Sequence, residues 1–163
     1  MAYDDEISSV DTLARMLARV VAVTLSERNV EAFASVDRLA GLAPGWDGYD
    51  GHAPTPEAIA QAKSFIATMP TDVRSPEVEP SGDGEINLVW RSDAAYLEVG
   101  FCGDQQFSFF GKTKTAPEER LFGDVPLSAN RLPLGLHWLM KQFADGMPVR
   151  GSIAEPAPLA WAS

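Results

Sequence analysis

Ile86-Asn87-Leu88-Val89-Trp90-Arg91, a turn at Ser92-Asp93, then Ala95-Tyr96-Leu97-Glu98-Val99-Gly100-Phe101 is the stretch that decides the fold. Ile86, Leu88 and Trp90 alternate with Glu85, Asn87 and Arg91. Ala95, Leu97, Val99 and Phe101 alternate with Tyr96 and Glu98. A period of two is the mark of a half-buried strand, because successive side chains leave opposite faces of the backbone. So short a break between two such runs leaves room only for an antiparallel return.

Working outward, Ser81-Gly82-Asp83-Gly84 is a turn signal on the N-terminal side. Before it, Glu77-Val78-Glu79 reads as a short edge strand blunted by Pro80. On the C-terminal side, Cys102-Gly103-Asp104 turns the chain again. Phe107 and Phe109 then share one face of a further strand, and Phe110 points to the other. The expected sheet is a three- to four-stranded antiparallel meander.

Helical spacing replaces the period of two on both sides of this block. Thr55 is an N-cap, Pro56 sits at the first helical position and Glu57 lies in the first turn. Ala58, Ile59, Ala62, Phe65, Ile66 and Met69 follow as one apolar face, closed by Pro70. Nearer the N-terminus, Val10, Leu13, Leu17, Val20 and Val21, then Val30, Phe33, Val36 and Leu39, predict one or two helices between about Ser8 and Leu42. Gly41 and Pro44 stop them. Leu136, Leu139, Met140 and Phe143 predict a last helix from about Pro133 to Ala144. Between these elements, Gly111 to Asn130 shows little pattern beyond the basic pair Lys112 and Lys114. Pro117-Glu118-Glu119 has the composition of a short helical turn. The predicted class is therefore α+β, with N-terminal helices, the meander and a C-terminal helix. It forms a single domain over 1–163, with a loose tail from 151 to 163.

Bulk composition agrees with one globular domain. The chain has 163 residues, 45% of them hydrophobic and 22% charged, which suffices for one sizeable core. Its formal net charge is -10. Such a surface repels phosphate backbones and anionic lipid heads, so neither direct nucleic-acid binding nor membrane binding is expected. The one cysteine, Cys102, excludes an intramolecular disulfide and any multi-cysteine metal site. Met1-Ala2-Tyr3-Asp4-Asp5-Glu6 is acidic, unlike a signal peptide, and the expected location is cytoplasmic.

Among the chemistry-bearing residues, the loop Gly45-Trp46-Asp47-Gly48-Tyr49-Asp50-Gly51-His52-Ala53-Pro54 stands out. Its glycines permit tight backbone paths. Trp46 and Tyr49 offer amphipathic rings, and Asp47 and Asp50 can bond nearby backbone N–H groups. Trp46, Asp47, Tyr49, Asp50 and His52 are the candidate binding residues. The plainer reading is a rigid connection anchored by Trp46. A metal reading needs Asp47, Asp50 and His52 to converge, and the calcium-loop spacing fails because no carboxylate stands at its last position. No metal site is therefore assigned.

His137, beside Trp138 on the last helix, reads as a partly buried structural histidine. No dinucleotide fingerprint, phosphate loop or HExxH zinc motif occurs, so no cofactor and no catalytic residue is assigned. Phe110 and Trp161 are candidates for an exposed apolar patch.

From about Leu39 to Phe101 the chain resembles a group of small, largely uncharacterised bacterial proteins. These carry a Trp-Asp-Gly-Tyr loop, here Trp46 to Tyr49, and a Pro-started helix, here Pro54-Thr55-Pro56-Glu57. An Asp-Gly turn, a strand ending in Trp (Ile86 to Trp90) and a strand like Tyr96-Leu97-Glu98-Val99 follow. The usual Gly-Ala after the Tyr is here the longer Asp50-Gly51-His52-Ala53. The resemblance implies the fold and brings no activity with it.

Three functional readings follow. The first is a non-enzymatic acidic interaction domain of the inhibitor, immunity or antitoxin type, or a phage antagonist of host defence. Its partner would be a protein, in particular a basic or nucleic-acid-binding one. The second is a small metal-dependent hydrolase using Asp47, Asp50 and His52. The third is a homo-oligomer that pairs through an open sheet edge near Phe107 to Phe110.

Overall fold

The computed structural model of the chain describes residues 27–129 and 131–145. The helical stretch read before residue 27, the tail at 151–163 and Trp161 lie outside the described residues.

After a 3-10 turn at Glu27–Asn29, α1 spans Val30–Leu39 and α2 spans Pro56–Thr68. Five strands follow: β1 at Glu77–Pro80, β2 at Ile86–Arg91, β3 at Ala95–Phe101, β4 at Gln106–Thr113 and β5 at Arg120–Pro126. The last described helix, α3, is Leu134–Lys141. The sheet order is β1-β2-β3-β4-β5, antiparallel throughout. The class is α+β, with five strands where the sequence pattern indicates three to four. Among the described residues no helix is long and apolar enough to cross a membrane.

Start signals act locally as the residues require. The Thr55 hydroxyl accepts from the Ala58 N–H at 3.1 Å, satisfying one of the orphan donors of the first turn of α2. Glycines supply the left-handed conformations of the turns at Gly84 (φ 88°) and Gly103 (φ 88°).

All three helices lie on one side of the sheet, its inner face. α2 packs on β2 and β3, α3 on β3 and β4, and α1 on α2 and β1. Inner-face residues Ile86, Leu88, Ala95, Leu97, Val99 and Phe101 are fully buried. Phe65 of α2 stands edge-on to Phe101 and Phe107, with ring centroids 5.4 and 5.3 Å away. Such an arrangement adds about 0.5–1.5 kcal/mol per pair to the area buried. The Trp90 indole N–H donates to the Arg74 carbonyl at 2.7 Å, so the buried ring keeps its polar atom satisfied.

Farther along, Val73 bridges to Ala144. The flanking bonds run from Arg74 N–H to Phe143 O at 3.0 Å and from Asp145 N–H to Asp72 O at 2.9 Å. They latch the segment before β1 to the segment after α3.

Two expectations need correction, and the stretch that shows little pattern contains strand: β4 runs on to Thr113, and β5 pairs with it from Gln106 to Lys112. Pro117-Glu118-Glu119 belongs to the β4–β5 connection and is not helical. The Thr113 hydroxyl accepts from the Glu119 N–H at 2.9 Å, and the Thr113 N–H donates to the Glu119 carbonyl at 2.9 Å. The strand Phe107 to Phe110 is therefore interior, and among the described residues the edge strand on that side of the sheet is β5.

Candidate functional site

The loop before α2 is held by its own backbone. Gly45 N–H donates to Gly51 O at 2.8 Å, and Gly48 N–H to Gly45 O at 3.0 Å. The Trp46 indole donates to the His52 carbonyl at 3.1 Å. Asp47 Oδ1 accepts from Tyr49 N–H at 3.0 Å and Gly51 N–H at 3.1 Å, the Asx-turn role of this residue type. Gly51 is required there, because a Cβ would sit 2.7 Å from the Asp47 carboxylate. His52 N–H donates to Gly82 O at 2.9 Å, which ties the loop to the β1–β2 turn.

The loop's side chains do not converge. Asp47 is spent on the backbone, Asp50 and His52 are exposed, and Tyr49 is 84% exposed. Among the described residues no three His, Cys, Asp or Glu side chains are grouped to hold a metal ion. His137 is exposed, not partly buried. The buried stripe of α3 is Leu136, Leu139 and Met140, which leaves positions 137 and 138 on the solvent side.

A second surface is richer. The outer face of the sheet carries no described helix, and its exposure is uneven. Val89 and Gly100 are buried, whereas Phe110 is 40% and Phe122 78% exposed. Phe110 lies directly opposite Phe122 on one side and Glu98 on the other. Tyr96 packs diagonally on Phe110, ring centroids 6.2 Å apart. The Tyr96 hydroxyl donates to the Glu98 carboxylate, and the Arg91 guanidinium stands 5.9 Å from the Tyr96 ring. Burial and then the Glu98 carboxylate push the Tyr96 hydroxyl up to about 12, so it remains a neutral donor. Arg91 is itself held by Glu77 at 2.6 Å and Glu79 at 2.8 Å. Tyr96, Phe110 and Phe122 thus form a contiguous aromatic stripe with carboxylates beside it at Glu98 and Asp124.

Of the sequence-derived patch candidates, Phe110 lies in this stripe. Tyr96 and Phe122 escaped that reading. Tyr96 occupies a polar-face position, and Phe122 falls in the stretch without an evident pattern. The signal that finds them is register: once β4 and β5 are aligned, residues 110 and 122 stand opposite.

Glu85 reaches across the same face. Its carboxylate covers Gly100, where a Cβ would collide with it, and lies 3.4 Å from the Ser108 hydroxyl. Burial raises its proton affinity above the ordinary carboxylate value, helped by Asp83. Burial, followed by the charge of the Glu85 carboxylate, pushes the Cys102 thiol from 9.0 up to about 11. The thiolate fraction at neutral pH then falls roughly a hundred-fold, while intrinsic nucleophilicity rises about ten-fold. Exposed Cys102 should therefore react with a disulfide reagent about ten-fold more slowly than an ordinary exposed thiol. Glu85→Gln should recover part of that rate. Wild-type reactivity equal to that of a free peptide thiol would refute the assignment.

On the inner side, a cleft of about 310 Å³ lies between α2 and β4–β5, with Phe65, Phe107, Val125 and Leu127 in its wall and Arg131 among its lining residues. Its size is at the lower limit for ligand pockets. No family model, curated protein or solved structure matches this chain.

Proposed function

We propose that this domain binds a protein partner through the outer face of β3, β4 and β5. The observation that carries the reading is the Tyr96–Phe110–Phe122 stripe. Single exposed apolar residues are ordinary on a protein surface, but adjacent exposed aromatics are the composition of an interface centre, and charged neighbours suit its polar rim. The chain's net charge of -10, with Glu98 and Asp124 at the stripe, favours a partner with an apolar centre and a basic rim. A basic, nucleic-acid-binding protein whose groove is occupied by this acidic domain meets that description. An inhibitor, immunity or antitoxin-type factor, or a phage antagonist of host defence, would act in this way.

The test is affinity capture from native host lysate with the wild-type chain and with Phe110→Ser/Phe122→Ser in parallel. The wild type should retain one stoichiometric, basic, salt-sensitive protein. The variant should bind it at least about thirty-fold more weakly, as for loss of a central aromatic anchor. Its circular dichroism should be unchanged. A partner held equally by both chains moves the contact elsewhere, and a wild-type chain that retains nothing removes the proposal.

A further inference from the structure

The strand at the open edge has a pattern that its place in the sheet makes meaningful. β5 reads Arg120-Leu121-Phe122-Gly123-Asp124-Val125-Pro126, and residues 120, 122 and 124 all face outward. Among the described residues β5 has a strand neighbour on one side only. The neighbouring bonds show which backbone groups are spent. Leu127 N–H donates to Gln105 O at 2.9 Å, and Glu119 O accepts from Thr113 N–H at 2.9 Å. Odd-numbered residues therefore turn their N–H and C=O toward β4. By the alternation of an antiparallel ladder, Arg120, Phe122 and Asp124 turn theirs to the open edge.

We propose that β5 pairs antiparallel with β5 of a second copy of this chain, about a two-fold axis beside Phe122. In that register Phe122 faces Phe122 of the second copy, and Arg120 faces Asp124 at both ends. All three positions present edge-facing backbone groups, so each pair exchanges two hydrogen bonds. Charge disfavours the registers centred on the charged positions. A shift that centres the axis on Asp124 sets two carboxylates opposite each other, and one centred on Arg120 sets two guanidinium groups together. Like charges directly opposite are destabilising in a sheet, and opposite charges contribute favourably.

Pro126 lacks an N–H and ends the ladder. On the inner face Leu121 meets Gly123 of the second copy, a large residue against one without a side chain. Among the described residues Arg120 is held by exposed Glu118 at 2.9 Å, a pair worth little in water, so its redirection costs little.

Edge strands are often blunted by charge. β1 follows that scheme with Glu77, Glu79 and Pro80, whose charges have one sign. β5 differs in that its two charges are of opposite sign and flank an exposed Phe. Repulsion between two chains of charge -10 works against pairing. At about 0.15 M salt the Debye length is about 8 Å, so that distant repulsion is screened while Arg–Asp pairs in contact persist. The product is one continuous sheet across two copies, with the two aromatic stripes joined. This inference goes beyond the partner-binding reading and does not depend on it.

Sedimentation velocity of the full chain over a concentration series tests it, with three variants chosen for register. The wild type should show a reversible monomer–dimer equilibrium. Asp124→Arg, and separately Arg120→Asp, should each weaken it about ten-fold or more, because each places like charges opposite at both ends. Arg120→Asp/Asp124→Arg restores opposite charges in the same register and should restore the dimer. Thermal unfolding of each variant checks that the fold is kept. A wild type that stays monomeric at the highest concentration, or a dimer indifferent to the single reversals, overturns the proposal. A dimer that the double exchange fails to rescue overturns it as well. A failure here leaves the lysate capture result untouched, so the two readings fail separately.

Discussion

Phe101→Ala should lower the free energy of unfolding by about 3–5 kcal/mol, the usual loss when a buried aromatic is truncated. Phe101 is fully buried at the end of β3, edge-on to Phe65 and tilted against Phe107. Removing it strips the transfer energy of the ring and two aromatic contacts. It also leaves a void that α2 cannot close, because Ala58, Ala62 and Ile66 already fit against the sheet with no exposure. Domains of this size have about 5–15 kcal/mol in total, so the variant should sit near its unfolding limit at room temperature. Urea unfolding checks this: the midpoint should drop with the slope unchanged. A loss below about 1 kcal/mol would show that the ring is not a keystone of the three-phenylalanine cluster.

The second large effect runs against strand propensity. Gly111→Val places the best of strand formers in β4, where intrinsic preference alone would stabilise the sheet. Here the inner face has no room. A Cβ at Gly111 would lie 2.5 Å from Leu139 Cδ1, 3.2 Å from the Tyr96 carbonyl oxygen and 3.3 Å from Leu97 Cδ1. Leu139 and Leu97 are both fully buried, and the carbonyl belongs to a fixed strand. The added methyls must displace α3 from the sheet, at a cost of about 1–3 kcal/mol or more. Thermal unfolding gives the sign directly. A lower melting temperature supports the close approach of α3 to β4, and a higher one would remove it.

What the sequence made legible follows from how strictly each segment obeys one period. The α2 start at Thr55-Pro56 and the alternating runs of β2 and β3 are read residue by residue, because turn chemistry, propensity and hydrophobic pattern agree there. β5 was not legible because its pattern is inverted. Its largest apolar residue, Phe122, faces solvent, and its inner positions include Gly123, packed 3.3 Å by projected Cβ from the Phe109 ring. A strand with its Phe outside and its Gly inside gives no amphipathic signal until its neighbour is known. His137 misled for a related reason. Next to Trp138 it suggests burial, but the helix turns both away from the sheet. The Trp46–His52 loop was conspicuous from composition, and its internal bonding is now plain. The outer-face stripe needed register, since Tyr96, Phe110 and Phe122 come from three strands and share no local motif.

The order β1-β2-β3-β4-β5 has a consequence for how the chain reaches this state. Every strand pairs with the one made just before it, so no strand waits for a distant partner, and each hairpin closes only a short loop. Low sequence separation of this kind is what makes a β-rich topology quick to assemble. More distant contacts include those of α3 with β3 and β4, and the bridge between Val73 and Ala144, which joins segments from either side of the whole meander. The sheet can thus gain its shape strand by strand. The inner faces of β3 and β4 lose their water only when α3, the last described element, closes over them.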